Sequence, residues 1–447
     1  MRPSRILGWR FAPHAVLAVA LAARLVWALS RPEPFTFPDS GRYHGVARNI
    51  VAGRGMVLGR AYRYLIPSGD DVETYFAHSD PGYSVFLAGL YTVGLDSLRA
   101  VRVVQALLDT ATVLLIMLLG WRLFGRRAGV AAGAVAALEP LLVFFSGMVL
   151  TETLFTFLLT GSLVALVASR GPEGDGAGQR ESERRSAARR MLAAAAWGAL
   201  AGVGSLVKSA FFMFLPMVAA ADVVLARAPE RRSRLKAQAL AIAVWAAVLA
   251  PWTIRNAVLL GEFVPTTTRN GIALYGSLAP DATGGWDPCC DSWPAEDMAP
   301  LGEVGRDRLL RRRALGSAAR NPLRTVGLAI IKEARLWSPV PLARAYRKAT
   351  YWLVGIAAFL LLIGAAVAGV VVMRSEWLRW WPALAPAAYL TILMLVFAGS
   401  VRYRVPAHAA LAVLAGALYA RVLAKCASRK RAFEGEAGDK VKVRQVK

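Results

Sequence analysis

Stretches of about 20 residues with few charges recur along this sequence, and each is long enough to cross the hydrocarbon of a bilayer as a helix. The sequence shows about ten of them. They lie near 11–29, 101–119, 129–145, 149–168, 191–207 and 210–225, then in a seventh that surfaces at Pro251, Trp252, Thr253, Ile254, Arg255 and Asn256, and finally near 350–372, 381–397 and 406–423. The fold class is therefore an all-α polytopic membrane protein. Composition agrees, since 56% of the 447 residues are hydrophobic and 19% are charged, with a mean hydropathy of +0.44. The first span is long for a signal-peptide core, so it reads as a membrane helix in spite of the small residues at Ala28 and Ser30.

A net charge of +25 would suit a nucleic-acid partner in a soluble chain. Here the basic residues must first be placed against the membrane. With the N-terminus in the cytoplasm, the inner side receives Arg2, Arg5 and Arg10, then Arg122, Arg126 and Arg127. It also receives the runs at 180–190, 227–236 and 374–379, and the tail from Arg421. That is the positive-inside bias, and it sets the orientation in a plasma or inner membrane without any nucleic acid. Cys289 and Cys290 are adjacent in a loop placed outside, and Cys426 falls in the inner tail. A disulfide framework is excluded; a vicinal disulfide and two free thiols stand as alternatives.

Two long segments face outward. The first, about 30–97, is too rich in aromatic and apolar residues for disorder. Within it Tyr43, Val46, Ala47, Ile50 and Val51 form a helix stripe, with Arg42, Arg48 and Asn49 on the other side. Asp39 reads as the N-cap of this short helix, and Gly53 and Gly55 as its end. A carboxylate placed there also stays ionised within reach of a lipid headgroup, a good position for a base. Further on, His78, Ser79, Asp80, Pro81, Gly82 and Tyr83 make a turn that leads into a half-buried helix. The second outer segment, about 257–348, opens with a polar loop from Thr266 to Gly271 that contains Asn270. Its later part, Arg306 to Trp337, alternates arginines with aliphatic residues as an interfacial helix does, with membrane lipids and their anionic headgroups as partners. Residues 1–425 form one domain, the inner loop at 170–190 is flexible, and the basic tail 426–447 is disordered.

The polar residues at the outer ends of these segments are Asp39, Arg42, His78, Asp80, Glu152, Lys208, Arg255, Asn256, Arg402 and Arg404. Each alone reads as a helix cap or a snorkelling end residue. Together they suit transfer of a group from a lipid phosphate. Asp39 or Glu152 takes the proton of an acceptor hydroxyl, and Lys208, Arg255, Arg402 and Arg404 meet the charge on the departing phosphate. The sequence leaves a divalent metal open, with Asp39 and Glu152 as its ligands if one binds, and requires no other cofactor. No P-loop, Asp-x-Asp triplet or soluble nucleotide-binding domain is present, which disfavours a nucleotide-activated donor.

An ordered series of short motifs carries a resemblance. It runs PDSGRY with ARNIVAGRGM, DPGYSVFLAGLY, LTETLF, LVKSAFFMFLP, PWTIRN, TTTRNGIALYGSLAPDATGGW, DRLLRRRALGSAARNP and VRYRVP. In these stretches the chain resembles the GT-C membrane glycosyltransferases, specifically bacterial relatives of the protein mannosyltransferase and aminoarabinose transferase group (family 39-like). The resemblance implies GT-C architecture and a sugar carried on polyprenyl monophosphate, moved with inversion to a lipid, glycan or protein acceptor on the outer face. It places the proposed base at Asp39, a second acidic residue at Glu152 and the hinge cation at Lys208, with Arg42, Tyr43, His78, Asp80, Tyr83, Asn256 and Asn270 as substrate-loop candidates. The chain departs from the family at Ser40, where many members have a second acidic residue, and at Asp80 and Ser84, where many have proline. Two other classes compete: a lipid or glycan transporter, and a polymerase or ligase that uses diphosphate-linked donors. No internal repeat of the transporter kind is visible, and the charges sit at span ends and not at the bilayer midplane.

Overall fold

The computed structural model describes residues 3–30, 37–58, 76–171, 180–285, 293–343 and 346–445, with only the helical backbone at 3–11, 180–184 and 430–445. Cys289 and Cys290, and with them the vicinal-disulfide question, lie outside the described residues, as does Trp286.

The first half of the chain runs through α1 (Pro3–Leu29), α2 (Pro38–Val51), α3 (Pro81–Thr92), α4 (Leu98–Phe124), α5 (Arg126–Leu138), α6 (Pro140–Ser146) and α7 (Thr151–Ser169). It continues with α8 (Arg180–Val207), α9 (Phe214–Val224), α10 (Ala228–Leu260) and α11 (Asn270–Leu278). The second half holds α12 (Ala295–Met298), α13 (Glu303–Arg320), α14 (Pro322–Leu336), α15 (Ala349–Phe359), α16 (Ala365–Val372), α17 (Trp377–Met394) and α18 (Val405–Gln445). Every apolar segment of the sequence is helical. Among the described residues seven helices are long and apolar enough to cross a membrane, or eight if the bent pair α5–α6 is one span. Of the other two apolar segments, Ser209–Val224 is short and α17 carries Pro382 and Pro386. The chain is a multi-pass membrane protein.

Two departures from the sequence reading have local causes. The last helix continues as backbone to Gln445 in place of a disordered tail, and α8 starts at Arg180 inside the loop read as flexible. Both stretches are rich in Ala, Arg, Lys and Glu, the residues that lose least on entering a helix, and each simply extends a helix already nucleated in the bundle.

The α5–α6 break follows from Glu139–Pro140. Proline lacks an N–H and forces the residue before it out of the α region, so Glu139 is extended (φ −65°, ψ 116°) and the two helices meet at 59°. The Glu139 carboxylate then accepts from Leu142 N at 2.7 Å and caps α6. Beneath the break, Arg24 donates to Asp109 (2.6 Å) and to the carbonyls of Ala136 and Ala137 (3.1 and 2.9 Å), which satisfies the end of α5 inside the bundle. Gln105 of α4 fixes the next bend: its amide donates to Ser146 O (3.2 Å) and Met148 O (2.6 Å), and its oxygen accepts from the Tyr83 hydroxyl (2.5 Å).

Close approach elsewhere depends on small residues, as is usual where helices pack without a hydrophobic driving force between them. The run Ala407–Ala417 of α18 is buried, and a Cβ on Gly416 would stand 2.3 Å from Ala132 N of α5. Connectivity places Asp39, Glu152, Lys208 and Arg402 at one end of the bundle. At the other end Asp222 binds Arg170 (2.7 Å) and Arg234 (2.8 Å), joining α9 and α10 to the end of α7. Gly416→Val is expected to separate α5 from α18 and to cost about 1–3 kcal/mol. Its thermal midpoint in detergent should fall, while Gly89→Ala, where an added Cβ inside α3 meets nothing within 4 Å, should not lower it.

Candidate active site

Three elements converge on one carboxylate, and a fourth joins them through Arg402. Glu152 lies in the first turn of α7, where the positive helix end favours a negative charge, yet the N-cap position belongs to Leu150 and the side chain does not cap. Its carboxylate is wholly buried. Oε1 accepts from Lys208 Nζ at 3.0 Å and from Arg402 Nε at 2.6 Å, and Oε2 accepts from Arg402 Nη2 at 3.3 Å. Lys208 reaches it because α8 stops at Val207 and the chain turns extended at Lys208 (φ −149°, ψ 93°) before a 3₁₀ turn. Arg402 comes from the 3₁₀ turn Val401–Arg404, and its own amide donates to Ser400 Oγ at 3.4 Å.

Arg402 also joins the first loop to this junction. Its Nη1 donates to Asp39 Oδ2 at 2.8 Å, while Arg42 Nη2 lies 3.0 Å from Asp39 Oδ1. Asp39 is not the N-cap expected from sequence. Pro38 occupies the first helical position with its φ already set, so the cap falls on Phe37 and Asp39 sits inside the first turn with its side chain free to pair with arginine. Burial pushes the Asp39 carboxyl up, but the guanidinium groups of Arg42, Arg402 and Arg269 outweigh it and hold the group well below the usual carboxylate range. Arg42 is itself buried beside the Tyr43 ring, 5.1 Å from its centroid, and its Nε and Nη1 have no hydrogen-bond partner among the described residues. Tyr43 in turn meets Tyr83 edge to face, with centroids 5.1 Å apart.

Above this junction opens a cleft of about 170 Å³. Its lining includes Asp39, Tyr43, Asp80, Lys208, Arg402 and Tyr403, then Thr267, Arg269, Asn270 and Ser277 of the second outer segment, and the apolar side chains Leu393, Met394 and Phe397. The lining thus combines polar, charged and apolar side chains. A lipid phosphate needs those three kinds of surface together.

The two long loops are tied together at the rim. Glu303 accepts from Phe76 N (2.8 Å), Ala77 N (2.9 Å) and Thr268 Oγ1 (2.5 Å). Thr268 N donates to Ala77 O (2.9 Å), and Thr267 Oγ1 to His78 O (3.0 Å). These bonds bring Arg269 over Asp39. Burial holds the His78 imidazole well below its ordinary value, and His78 faces a small cavity beside Glu303 and Asp307, outside the main cleft.

Of the residues singled out from sequence, the structure brings together Asp39, Arg42, Tyr43, Asp80, Tyr83, Glu152, Lys208, Asn270 and Arg402. It does not bring Arg255, Asn256 or Arg404 to the cleft. Arg255 stacks on Trp252 and donates to Phe76 O (2.9 Å), Asn256 donates to Val264 O (3.0 Å), and Arg404 is buried with Leu336 O as its acceptor (2.9 Å). All three serve backbone carbonyls that would otherwise be left unpaired. The sequence reading missed Thr267, Arg269 and Tyr403 as site residues. The arginine inside the TTTRNG motif, set in a polar loop and immediately before a helix, was the available signal for Arg269.

Asp39 and Glu152 do not fit a metal ion between them in this arrangement. The Arg402 guanidinium bonds to both, and among the described residues no group of three or more His, Cys, Asp and Glu gathers into a ligand set. The positive charge at the junction belongs to side chains.

The depressed Asp39 pKa has a definite sign. The folded group loses its proton more readily than the unfolded one, so its contribution to stability is present above the unfolded value of about 4 and is lost as pH falls below that. The difference in thermal midpoint between wild type and Asp39→Asn is expected to stay constant from pH 8 to 5 and to shrink below pH 4. A difference that already shrinks between pH 7 and 5 would contradict the paired arrangement.

Comparison with known proteins follows the same lines. Residues 78–172 match the family described as dolichyl-phosphate-mannose-protein mannosyltransferase. A search of curated proteins found no match. Among solved structures, the archaeal oligosaccharyltransferase AglB from Archaeoglobus fulgidus, in complex with an inhibitory peptide and a dolichol-phosphate, superposes with a TM-score of 0.56 at 16% identity. That alignment covers 94% of this chain and 51% of AglB. The apo form of the same archaeal enzyme gives 0.59 at 14% identity, covering 95% of this chain and 52% of that one. The fold is that of the GT-C membrane glycosyltransferases, and the chain spans about half the length of these solved structures.

Proposed function

We propose that the chain is an inverting glycosyltransferase that takes a sugar from a polyprenyl-monophosphate carrier and delivers it to an acceptor hydroxyl on the outer face of the plasma or inner membrane. The observation that carries this reading is the Asp39–Arg402–Glu152–Lys208 junction, which opens onto a cleft lined in part by apolar side chains. Its support is threefold: the GT-C fold, the family match over 78–172, and the chemistry of the cleft.

Each residue takes a role from its position. Lys208 and Arg402 line the cleft as hydrogen-bond donors and receive the carrier phosphate, the two being held at fixed spacing by Glu152. Glu152 is a positioning residue: it is absent from the cleft wall, and its oxygens are already occupied by Lys208 and Arg402. Asp39, which faces the cleft beside Arg402, takes the role of the base. A carboxylate held far below neutral is a poor base, since efficiency is greatest when pKa lies near the working pH. The carrier phosphate removes this obstacle. It competes for Arg402, and as that cation turns to the phosphate the Asp39 carboxylate loses a bond and gains basicity. The acceptor oxygen then attacks the anomeric carbon, the carbon–oxygen bond to phosphate breaks, its electron pair stays on the phosphate oxygen, and the acceptor proton passes to Asp39. Lys208 and Arg402 stabilise the second negative charge on the released polyprenyl phosphate.

The experiment supplies polyprenyl-monophosphate sugars and an envelope extract to the protein in lipid discs and follows release of polyprenyl phosphate. Wild type is expected to release it with one donor. Asp39→Asn should lose about 100-fold or more of turnover, the range of a lost general base. Arg402→Gln should chiefly raise the donor KM. Undiminished turnover in Asp39→Asn would remove Asp39 from the chemistry, and failure of wild type to bind any carrier would sink the transferase reading.

A further inference from the structure

Asp80 is an acidic side chain in the cleft wall that no step above uses. It stands at the N-cap of α3, the commonest structural post for an aspartate, yet its carboxylate makes no capping bond to the helix. Pro81 follows at the first helical position, and Gly82 presses so tightly on the end of α8 that an added Cβ would stand 2.8 Å from Val207 N. The turn is therefore clamped beside Lys208, and Asp80 faces the cleft with little freedom to turn away. Ser209, the residue after Lys208, lies beside the carboxylate, while Oδ1 is buried and has no hydrogen-bond partner among the described residues. Burial pushes the Asp80 carboxyl up, in spite of Ser209, Arg269 and Arg42 nearby. A buried acceptor left without a donor is costly, so its place in the cleft wall points to a group that arrives with the ligand.

Building on the transferase reading above, we propose that Asp80 is the specificity-determining residue of the cleft: its carboxylate accepts a hydrogen bond from a hydroxyl or ammonium group of the donor sugar. The sugar is one bond from the phosphate, and Asp80 is clamped beside Lys208, the residue that receives that phosphate. The same negative charge turns away an acidic sugar. The site thus takes a neutral or amino sugar and rejects a uronic acid. A site built to pair a buried polar group discriminates strongly against a ligand that lacks the partner, because the protein group is then left desolvated and unpaired.

The test measures binding to the whole protein in lipid discs of four probes: unsubstituted polyprenyl phosphate, and polyprenyl phosphates carrying a neutral hexose, an amino sugar or a hexuronic acid. Wild type is expected to prefer the hexose or the amino sugar over the uronic acid by roughly 10- to 100-fold. Asp80→Asn should erase most of that preference while binding unsubstituted polyprenyl phosphate as wild type does. An unchanged preference in Asp80→Asn overturns the assignment, as does a parallel loss for all four probes. Should Asp80→Asn not fold, wild type is compared on the preferred donor and its monodeoxy analogues. A loss of about tenfold at one position supports the contact, and no loss at any position overturns it. If unsubstituted polyprenyl phosphate does not bind wild type, the transferase reading itself fails and takes this inference with it.

Discussion

A carboxylate with no exposed surface, placed between two cations, organises this end of the bundle. Glu152 draws Lys208 from the end of α8 and Arg402 from the turn before α18 onto the start of α7, and through Arg402 it draws in Asp39 from α2. Ions buried this deeply are costly to desolvate, and the cost is met only where every charge finds an opposite partner at bonding distance. Removing one member leaves an unpaired buried charge, about 3–5 kcal/mol in comparable cases. The junction is therefore both the anchor of four segments and a charged surface poised against the cleft. Its stability and its chemistry draw on the same few bonds.

Much of the fold was legible because a bilayer reads length and hydropathy and little else. All ten apolar segments are helices, and the charged residues at the ends of α7 and α8 and before α18 were visible as exceptions to an apolar background. Glu152, Lys208 and Arg402 were singled out in this way, and Asp39 by its place just after the first span. The same signal over-reached for Arg255 and Arg404, which also end or begin a span but satisfy carbonyls nearby. Sequence says that an arginine sits at a helix end; it does not say which acceptor lies within 3 Å. The N-cap fell on Phe37 and not on Asp39 because a proline at the first helical position outweighs the capping preference of aspartate. Arg269 was missed since its place depends on the long-range bonds of Glu303 and Thr268, between residues more than 30 and up to 227 positions apart. No local pattern encodes such a separation.

The loops show how a cleft is built from the segments that connect the helices at one end of the bundle. Glu303 closes the rim by taking three hydrogen bonds from two segments, and Asp307 does the same for the start of α11 through Gly271 N. Each uses an acidic side chain to satisfy backbone N–H groups that loops would otherwise expose.

Gln105 extends the reach of the site into the bundle. Its one amide holds the Tyr83 hydroxyl on one side and the carbonyls of Ser146 and Met148 on the other. Tyr83 stands three residues after Asp80 and Met148 four before Glu152, so a side chain absent from the cleft sets the spacing between the two walls that meet there. Selection on such a chain would preserve a glutamine in the middle of an apolar helix, and a pair of sequences that both changed it would be expected to have changed the two walls in concert.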